Sequence, residues 1–144
     1  MISQIKYNKK VSLIYLLNPN LNKLLFYLRD DKDIPERNKW SIFGGVIENG
    51  ETKDEGLERE LREEIPNVPV SEIRYIGQMM NPKNQKLYFF KGRLYENNIE
   101  NIKITEGQKV AYFDPNDIFG SEIFETSVLA FYKKNRERIL KWRQ

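Results

Sequence analysis

Short apolar runs separated by turn-forming residues indicate several β-strands. The hairpin pattern is clearest at the start, where two apolar runs flank the turn sequence NPNLN. Between the second and third runs, DDKDIPERNK (30–39) is polar and contains proline, which predicts a loop of the kind that borders a functional site. The predicted strands are 10–18 (KVSLIYLLN), 23–30 (KLLFYLRD), 40–45 (WSIFGG), 72–80, 86–95 and 109–114.

Two other segments have helical features. Leu57, Leu61 and Ile65 recur every fourth residue, which predicts an apolar stripe on a helix over 53–65. Thr52 is the expected N-cap, with Glu55 completing a capping box. The segment 121–142 (SEIFETSVLAFYKKNRERILKW) predicts a long C-terminal helix, and PNDIFG (115–120) a short turn or helix. Strands mixed with two main helices predict an α+β layered domain.

The length of 144 residues fits one domain, 1–144, and the sequence contains no internal repeat or linker. The longest apolar run, VSLIYLL, is too short to span a bilayer, and NPN follows it without a small-residue cleavage site. There is no cysteine and hence no disulfide framework. We therefore expect a cytoplasmic protein with no membrane partner.

The net charge of +3 is small, but basic residues gather at 133–143 (KKNRERILKWR). Ile139, Leu140 and Trp142 give this segment an apolar side, which favours a docked helix with a solvated basic face. Nucleic-acid binding through Lys133, Lys134, Arg136 and Arg138 is the less favoured alternative.

The absence of both cysteine and histidine narrows the chemistry. It excludes thiol nucleophiles, Ser-His-Asp triads and zinc sites built from Cys and His. Catalysis must then depend on carboxylates, Lys, Tyr, hydroxyls or hard metal ions held by oxygen, such as Mg²⁺ and Mn²⁺.

Glutamates crowd the end of the first predicted helix. Glu60, Glu63 and Glu64 lie at i, i+3 and i+4, where like charges destabilise a helix by about 0.2–0.5 kcal/mol per pair. They precede Pro66, at the helix end where the macrodipole disfavours anions. Bound divalent cations would cancel this repulsion, since clustered carboxylates are normally paired or coordinate metal.

The spacing around these glutamates resembles a known signature. From Gly45 the chain reads Gly, five residues, Glu51, seven residues, then Arg59-Glu60-Leu61-Arg62-Glu63-Glu64, similar to the Nudix hydrolase motif G-x5-E-x7-R-E-U-x-E-E-x-G-U, where U is a bulky aliphatic residue. The resemblance implies the Nudix fold, a mixed β-sheet sandwiched between α-helices (an α/β/α sandwich). It also implies Mg²⁺-dependent hydrolysis of a diphosphate linkage in a nucleoside diphosphate derivative.

The resemblance further implies roles for individual residues. Glu60, Glu63 and Glu64 would ligate Mg²⁺, with Mn²⁺ as a substitute, and the backbone carbonyl of Gly44 would be a further ligand. Arg59 would orient the carboxylates, and Glu51 would tie the preceding loop to the helix.

A second motif, Glu106-Gly-Gln, resembles one in the loop before a late strand of some Nudix pyrophosphohydrolases. It implies that Glu106 supplies another metal ligand or the general base, and Glu63 is the other candidate for the base.

Two positions depart from the family pattern. Pro66-Asn67 replaces the Gly-aliphatic pair, and Phe43 replaces the proline before Gly44 and Gly45. Pro66 ends the helix as that glycine would. Phe43 could reshape the floor of the pocket.

Substrate choice is less constrained. Gly45 permits close approach of a ligand, and Trp40 and Phe43, with Tyr27 and Tyr88, could stack on a base, although strand aromatics are more often core. We favour a nucleoside triphosphate pyrophosphohydrolase acting on a small nucleotide, as a monomer or homodimer. Nucleotide sugars, ADP-ribose and a catalytically silent binding module remain alternatives.

Overall fold

A computed structural model describes residues 9–119 and 122–142 of the chain. It contains one mixed sheet of seven strands, two α-helices, and 3₁₀ turns at Ile99–Asn101 and Pro115–Asp117. The strands are β1 (Lys10–Asn18), β2 (Lys23–Leu28), β3 (Trp40–Ser41), β4 (Phe43–Val46), β5 (Ser71–Met80), β6 (Lys86–Arg93) and β7 (Lys109–Phe113). The helices are α1 (Lys53–Glu64) and α2 (Thr126–Leu140). The predicted strands are therefore confirmed, with 40–45 divided into β3 and β4.

Strand β1 is the centre of the sheet. One of its edges pairs in parallel with β6 along nearly its whole length, from Lys10↔Lys86 to Leu17↔Arg93. Its other edge is shared, because β4 pairs antiparallel with the first half of β1 and β2 with the second half. Strand β3 pairs with the end of β2 on the edge that also pairs with β1, β7 pairs with the opposite edge of β2, and β5 pairs with β6. This arrangement brings β4, which carries Gly44 and Gly45, next to the middle of the sheet.

The side chains of β1 alternate between two buried layers. Tyr15 and Leu17 belong to the cluster under α2, whereas Ile14 and Leu16 belong to the cluster under α1. Because apolar side chains leave both faces of β1, a helix is needed on each side to cover them. The expected α/β/α sandwich is confirmed.

Helix α1 follows the prediction from its sequence. The Thr52 side chain accepts a hydrogen bond from the Glu55 amide, and the Glu55 side chain accepts one from the Thr52 amide, which completes the capping box. Leu57, Leu61 and Ile65 are all buried, at 0%, 7% and 1% exposure. The helix ends before Pro66, as expected from the steric restriction that proline places on the preceding residue.

Helix α2 begins later than predicted, so the expected helix over 121–142 is wrong at its start. Position 121 lies outside the described residues, and the chain up to Glu125 is not helical. The backbone there bonds to β3 instead: the Trp40 amide donates to the Ile123 carbonyl and the Glu125 amide to the Trp40 carbonyl, both at 2.8 Å. The Glu125 side chain then caps the helix by accepting from the Val128 amide. Within the described part of the chain, no helix is both long and apolar enough to cross a membrane.

The C-terminal segment docks as predicted. Ile139 is 1% exposed, and Leu140 and Trp142 pack against the same buried cluster. The side chains of Lys133, Lys134, Arg136 and Arg138 are exposed. Arg143, also part of the basic segment, lies outside the described residues.

Candidate active site

Arg59 joins the loop before α1 to the helix. Its Nε donates to Glu51 Oε2 at 2.7 Å and its Nη2 to Glu51 Oε1 at 3.1 Å. The Nη2 also donates to the Val46 carbonyl at 2.9 Å, and Nη1 donates to Glu60 Oε2 at 2.9 Å. Hydrogen bonds to Glu51 raise the pKa of Arg59 above its ordinary value, so this guanidinium stays charged. Arg59 therefore fixes the orientation of the Glu60 carboxylate.

Glu51 also accepts a hydrogen bond from the Glu48 amide at 2.8 Å. The same carboxylate thus holds both the loop and Arg59, as expected for a residue that ties the loop to the helix.

Two glycines of β4 bring the backbone against the glutamates of α1. A Cβ on Gly45 would lie 2.5 Å from Glu60 Cδ, so a side chain there would displace the Glu60 carboxylate. Gly44 has φ +139°, and a Cβ there would lie 1.9 Å from the Ser12 carbonyl oxygen. The Gly44 amide donates to Glu64 Oε1 at 3.1 Å. Glycine at position 45 thus leaves room for the Glu60 carboxylate, and glycine at position 44 lets β4 lie against the backbone of β1.

Glu64 has an unusual electrostatic environment. Burial, followed by the charges of Glu60 and Glu106, raises the pKa of Glu64 to about 8, against an ordinary value of 4.5. The hydrogen bond from the Gly44 amide favours the ionised form and only partly offsets this. The charges of Glu60 and Glu106 therefore oppose ionisation of Glu64, at a site where a cation would be stabilised.

The loop that carries Glu106 is attached to the end of α1. The Thr105 hydroxyl donates to the Glu63 carbonyl at 2.8 Å, and the Thr105 amide donates to the Glu64 carbonyl at 3.2 Å. These carbonyls are free of intrahelical partners at a helix C-terminus, so Thr105 caps α1. The cap places the next residue, Glu106, within electrostatic reach of Glu64.

Asn67 makes a second attachment. Its side-chain amide donates to the Asn101 carbonyl at 2.8 Å, and its Oδ1 accepts from the Lys103 amide at 3.4 Å. One of the two residues that depart from the family pattern thus binds the segment leading to Glu106.

The Glu63 side chain is the most exposed of the three helix glutamates. It is 59% exposed and lies 3.5 Å from Arg59 Nη1, whereas the Glu60 side chain is 17% exposed. A carboxylate with this freedom can turn towards solvent or towards a ligand.

The carboxylates are close but do not form a closed ligand cage. Among residues 9–119 and 122–142, no group of three or more acidic side chains has the arrangement of a preformed metal site. The donor chemistry nevertheless fits a hard divalent cation, because carboxylate and backbone oxygens are what Mg²⁺ prefers. Burial and the charges of Glu60 and Glu106 raise the pKa of Glu64, and a bound cation would lower it again.

Sequence comparison decides the family. A model of the NUDIX domain matches residues 6–140, nearly the whole chain. The chain belongs to the Nudix family. As a Nudix domain, it is a hydrolase that acts on pyrophosphate bonds of nucleoside diphosphate derivatives. No curated protein matches the sequence significantly.

Solved structures share the Nudix fold. The MutT protein of Methanosarcina mazei Go1 is 19% identical with a TM-score of 0.70, over 94% of this chain and 99% of that one. A NUDIX hydrolase from Nitrosomonas europaea is 24% identical with a TM-score of 0.71, over 94% and 75% of the two chains. A MutT structure from work on Aliivibrio salmonicida and Vibrio cholerae is 17% identical with a TM-score of 0.64, over 93% of this chain and 98% of that one. At these identities the comparison establishes the fold only.

A pocket of about 580 Å³ opens beside the two glycines of this Nudix site. We call it the main pocket. Its walls combine apolar side chains of the sheet with polar groups from three loops, including Tyr27, Arg29, Ile42, Gly44, Gly45, Asn81, Gln85, Leu87, Glu125 and Ser127.

A neighbouring hollow of about 470 Å³ contains Glu106, and we call it the loop hollow. Its lining includes Asp30, Lys32 and Thr105, and it shares Tyr27 and Arg29 with the main pocket.

The structure places the predicted substrate residues differently. Gly45 lines the main pocket. The Phe43 ring is 2% exposed and stacks on Tyr27 in the cluster under α1, and the Trp40 ring packs edge-on against Phe113. Neither ring lines the main pocket. Phe43 pairs with Ile14 of the central strand, and its ring leaves the sheet on the buried α1 side.

Two pocket residues were missed by the sequence analysis. Arg29 has a buried Nε without a hydrogen-bond partner among the described residues, while its Nη2 donates to the Pro35 carbonyl at 2.8 Å. Glu125 lies in the pocket wall, where burial raises the pKa of its carboxyl group. The sequence contains no local motif at either position, although Arg29 precedes the polar loop predicted to border a site.

Proposed function

We propose that this Nudix hydrolase is a nucleoside triphosphate pyrophosphohydrolase. The observation that carries the proposal is the relation between the two cavities. The main pocket, of a size suited to one nucleoside, opens at Gly44 and Gly45, and it meets the loop hollow at Arg29. A nucleoside in the first cavity would therefore extend its phosphates past Arg29 towards Glu64 and Glu106.

The residues that line the loop hollow favour phosphate groups, and not a second base or sugar, as its occupant. Arg29 and Lys32 supply positive charge, and Asp30 and Glu106 supply carboxylates that suit a metal-bound phosphate. Guanidinium groups bind phosphate oxygens in a two-point geometry. By contrast, the apolar wall formed by Ile42 and Leu87 belongs to the main pocket.

Metal binding is also part of the proposal. Glu60, Glu63, Glu64 and Glu106, with the Gly44 carbonyl, would hold Mg²⁺, with Mn²⁺ as a substitute. When bound, such ions neutralise phosphate charge and make a coordinated water more acidic.

The chain itself would contribute a base and a set of positioning groups. A water oxygen attacks phosphorus, the bond from phosphorus to the leaving phosphate oxygen breaks, and a carboxylate accepts the water proton. With no histidine in the chain, Glu63 or Glu106 would be this base. Arg59 would hold Glu60 in place, and Arg29 would bind the phosphates.

A substrate panel tests the proposal. Nucleoside triphosphates, nucleotide sugars, ADP-ribose and dinucleoside polyphosphates would be incubated with and without Mg²⁺, and the products separated by anion-exchange chromatography. We expect a nucleoside monophosphate and pyrophosphate from a triphosphate, only with the metal present. Preference for a nucleotide sugar or ADP-ribose would overturn the substrate assignment, and binding without any turnover would indicate a silent module.

A further inference from the structure

A concentration of positive charge lies away from the Nudix site, where the end of α2 meets β5 and β6. A hollow of about 510 Å³ there is lined by five cations, which we call the basic hollow: Arg74, Lys91, Lys134, Arg138 and Lys141. Glu137 also lines it and reduces its net charge. The basic hollow belongs to the α2 side of the sheet, whereas the motif glutamates are carried by α1 on the other side.

The floor of the basic hollow is a buried lysine. Lys91 is 7% exposed, and its Nζ donates to the Arg138 carbonyl at 2.6 Å and the Lys141 carbonyl at 2.7 Å. These carbonyls at the C-terminus of α2 attract a cation, but they do not neutralise it. Among the described residues, the cations that form ion pairs are Lys32, Lys39, Lys53, Arg59 and Arg93, and no carboxylate pairs with Lys91, Arg74 or Arg138.

The guanidinium groups of Arg74 and Arg138 add positive charge to the site, whereas Arg93 beside them is paired with Glu72 at 3.3 Å. Burial, followed by the charges of Arg74, Arg93 and Arg138, lowers the pKa of Lys91 below its ordinary value. Arg138 donates to the Ile76 carbonyl at 2.6 Å, and this hydrogen bond holds it near the other cations. These crowded cations repel one another, as the crowded carboxylates of α1 do, and a bound anion would reduce that repulsion.

Trp142 packs among the cations beside the basic hollow. Its ring centroid lies 4.4 Å from Lys91 Nζ, 4.4 Å from Arg93 Cζ and 5.0 Å from Arg74 Cζ. Because cations already occupy its surroundings, the indole is poorly placed to stack on a nucleobase. The basic hollow therefore offers donors for an oxyanion and no platform for a base.

The exposed cations of α2 are divided between two sides of the helix. Lys134 and Arg138 line the basic hollow, but Lys133 and Arg136 line a different hollow beside Phe119. A strand of nucleic acid following the helix would use a continuous stripe of charge. The division favours a small ligand concentrated at one point.

We propose that the basic hollow is a second binding site, for a compact multivalent phosphate anion such as a diphosphate group. Guanidinium groups of Arg74 and Arg138 would bind its oxygens, with Lys134 and Lys141 at the rim. The site is independent of catalysis at α1, and its ligand is either a free inorganic anion or the phosphate end of a small metabolite.

Calorimetric titration with inorganic pyrophosphate tests the proposal. The experiment uses the full chain in EDTA, so that the α1 carboxylates have no metal to bind the anion. We expect saturable binding of pyrophosphate to the parent protein. The double variant Arg74→Gln and Lys134→Gln should bind it about tenfold or more weakly, because charge-assisted hydrogen bonds are lost. The matched control is Lys133→Gln, which removes one charge from the same helix on its other side and should change the affinity less than about twofold.

An NMR readout locates the ligand. The chain has two tryptophans, and the indole N–H signal of Trp142 should shift on titration while that of Trp40 stays unchanged. Absence of binding, equal weakening in the Lys133→Gln control, or a shift confined to Trp40 would each overturn the proposal. Tighter binding of a single-stranded RNA oligonucleotide that also weakens in the control would overturn it in favour of a nucleic-acid surface. A methyl diphosphate used in parallel distinguishes a metabolite end from the free anion.

Discussion

Arg59 and Glu51 form a two-point hydrogen-bonded pair, with donor–acceptor distances of 2.7 Å and 3.1 Å. The same guanidinium reaches the Val46 carbonyl and Glu60. One side chain therefore fixes the loop, the end of β4 and one proposed metal ligand relative to each other.

Replacing Arg59 with lysine keeps the charge but removes this fork of donors. We expect Mg²⁺-dependent turnover to fall by roughly 10–100-fold, the usual effect of losing a group that orients metal ligands. Steady-state kinetics over a range of Mg²⁺ concentrations would show a raised metal requirement. Arg62→Lys, at an exposed position of the same helix, is the control, and an equal loss there would contradict this role for Arg59.

Alanine at the two adjacent glycines should have different effects. In Gly45→Ala the new Cβ meets the end of the flexible Glu60 side chain, so we expect a folded protein with weakened metal binding and low activity. In Gly44→Ala the Cβ would clash with the Ser12 backbone and φ is +139°, so the fold itself should be strongly destabilised. Thermal unfolding and metal titration separate the two outcomes, and an active Gly45→Ala variant would contradict the placement of Glu60.

Glu64 should couple metal binding to proton release. In the metal-free protein its pKa is about 8, so near neutral pH the carboxyl is mostly protonated and a cation must displace that proton. We expect Mg²⁺ affinity to increase as the pH rises towards 8 and then level off. Calorimetry at pH 7 in two buffers of different ionisation enthalpy would count the released protons, and Glu64→Gln should remove the release.

The same pKa shift affects stability. Because the folded-state pKa is raised, the unfolded chain loses its proton first, and the free energy of unfolding should decrease as the pH rises from 4.5 to about 8. Metal-free Glu64→Gln should therefore unfold at a higher temperature than the metal-free parent above pH 7. A lower unfolding temperature would contradict the assigned burial of this charge.

Glutamine variants should identify the general base. Loss of a positioned base lowers turnover by about 10²–10⁴-fold, and we expect such a loss for Glu63→Gln or Glu106→Gln with the fold retained. If a variant has lost only a metal ligand, excess Mg²⁺ should instead restore part of its turnover. A fully active variant carrying both Glu63→Gln and Glu64→Gln would refute the carboxylate site altogether.

Thr105 should act on activity through Glu106. Thr105→Val keeps the shape but removes the hydroxyl that binds the Glu63 carbonyl, at a cost of about 1 kcal/mol in stability. We expect a lower kcat with little change in KM, because the loop bearing Glu106 loosens while the main pocket is intact. Thr105→Ser restores the hydroxyl and should restore kcat, and failure of this rescue would assign Thr105 a purely packing role.

Local sequence patterns predicted the features that depend on neighbouring residues. The capping box at Thr52 and Glu55, the apolar stripe of α1 and the end of α1 at Pro66 all follow from interactions within a few residues. The predicted start of α2 was wrong because backbone hydrogen bonds to Trp40, far away in the sequence, keep the chain before Thr126 out of the helix.

Long-range contacts explain what else was not predicted. The cap that Thr105 makes on α1 and the attachment of Asn67 to the segment around Lys103 join residues from different parts of the chain. The position of Arg29 between two cavities likewise depends on how β2 lies beside the Glu106 loop. Tertiary contacts decide these features, and no periodicity in the sequence encodes them.

The central position of β1 also has a consequence for how the molecule reaches its native state. During synthesis β1 can form its hairpin with β2 early, but its parallel partner β6 emerges much later, and until then one edge of β1 stays open. Contacts between residues so distant in the chain slow folding. We therefore expect slow refolding, and a period in which the unpaired backbone edge and the apolar faces of β1 expose the nascent chain to aggregation or chaperone binding.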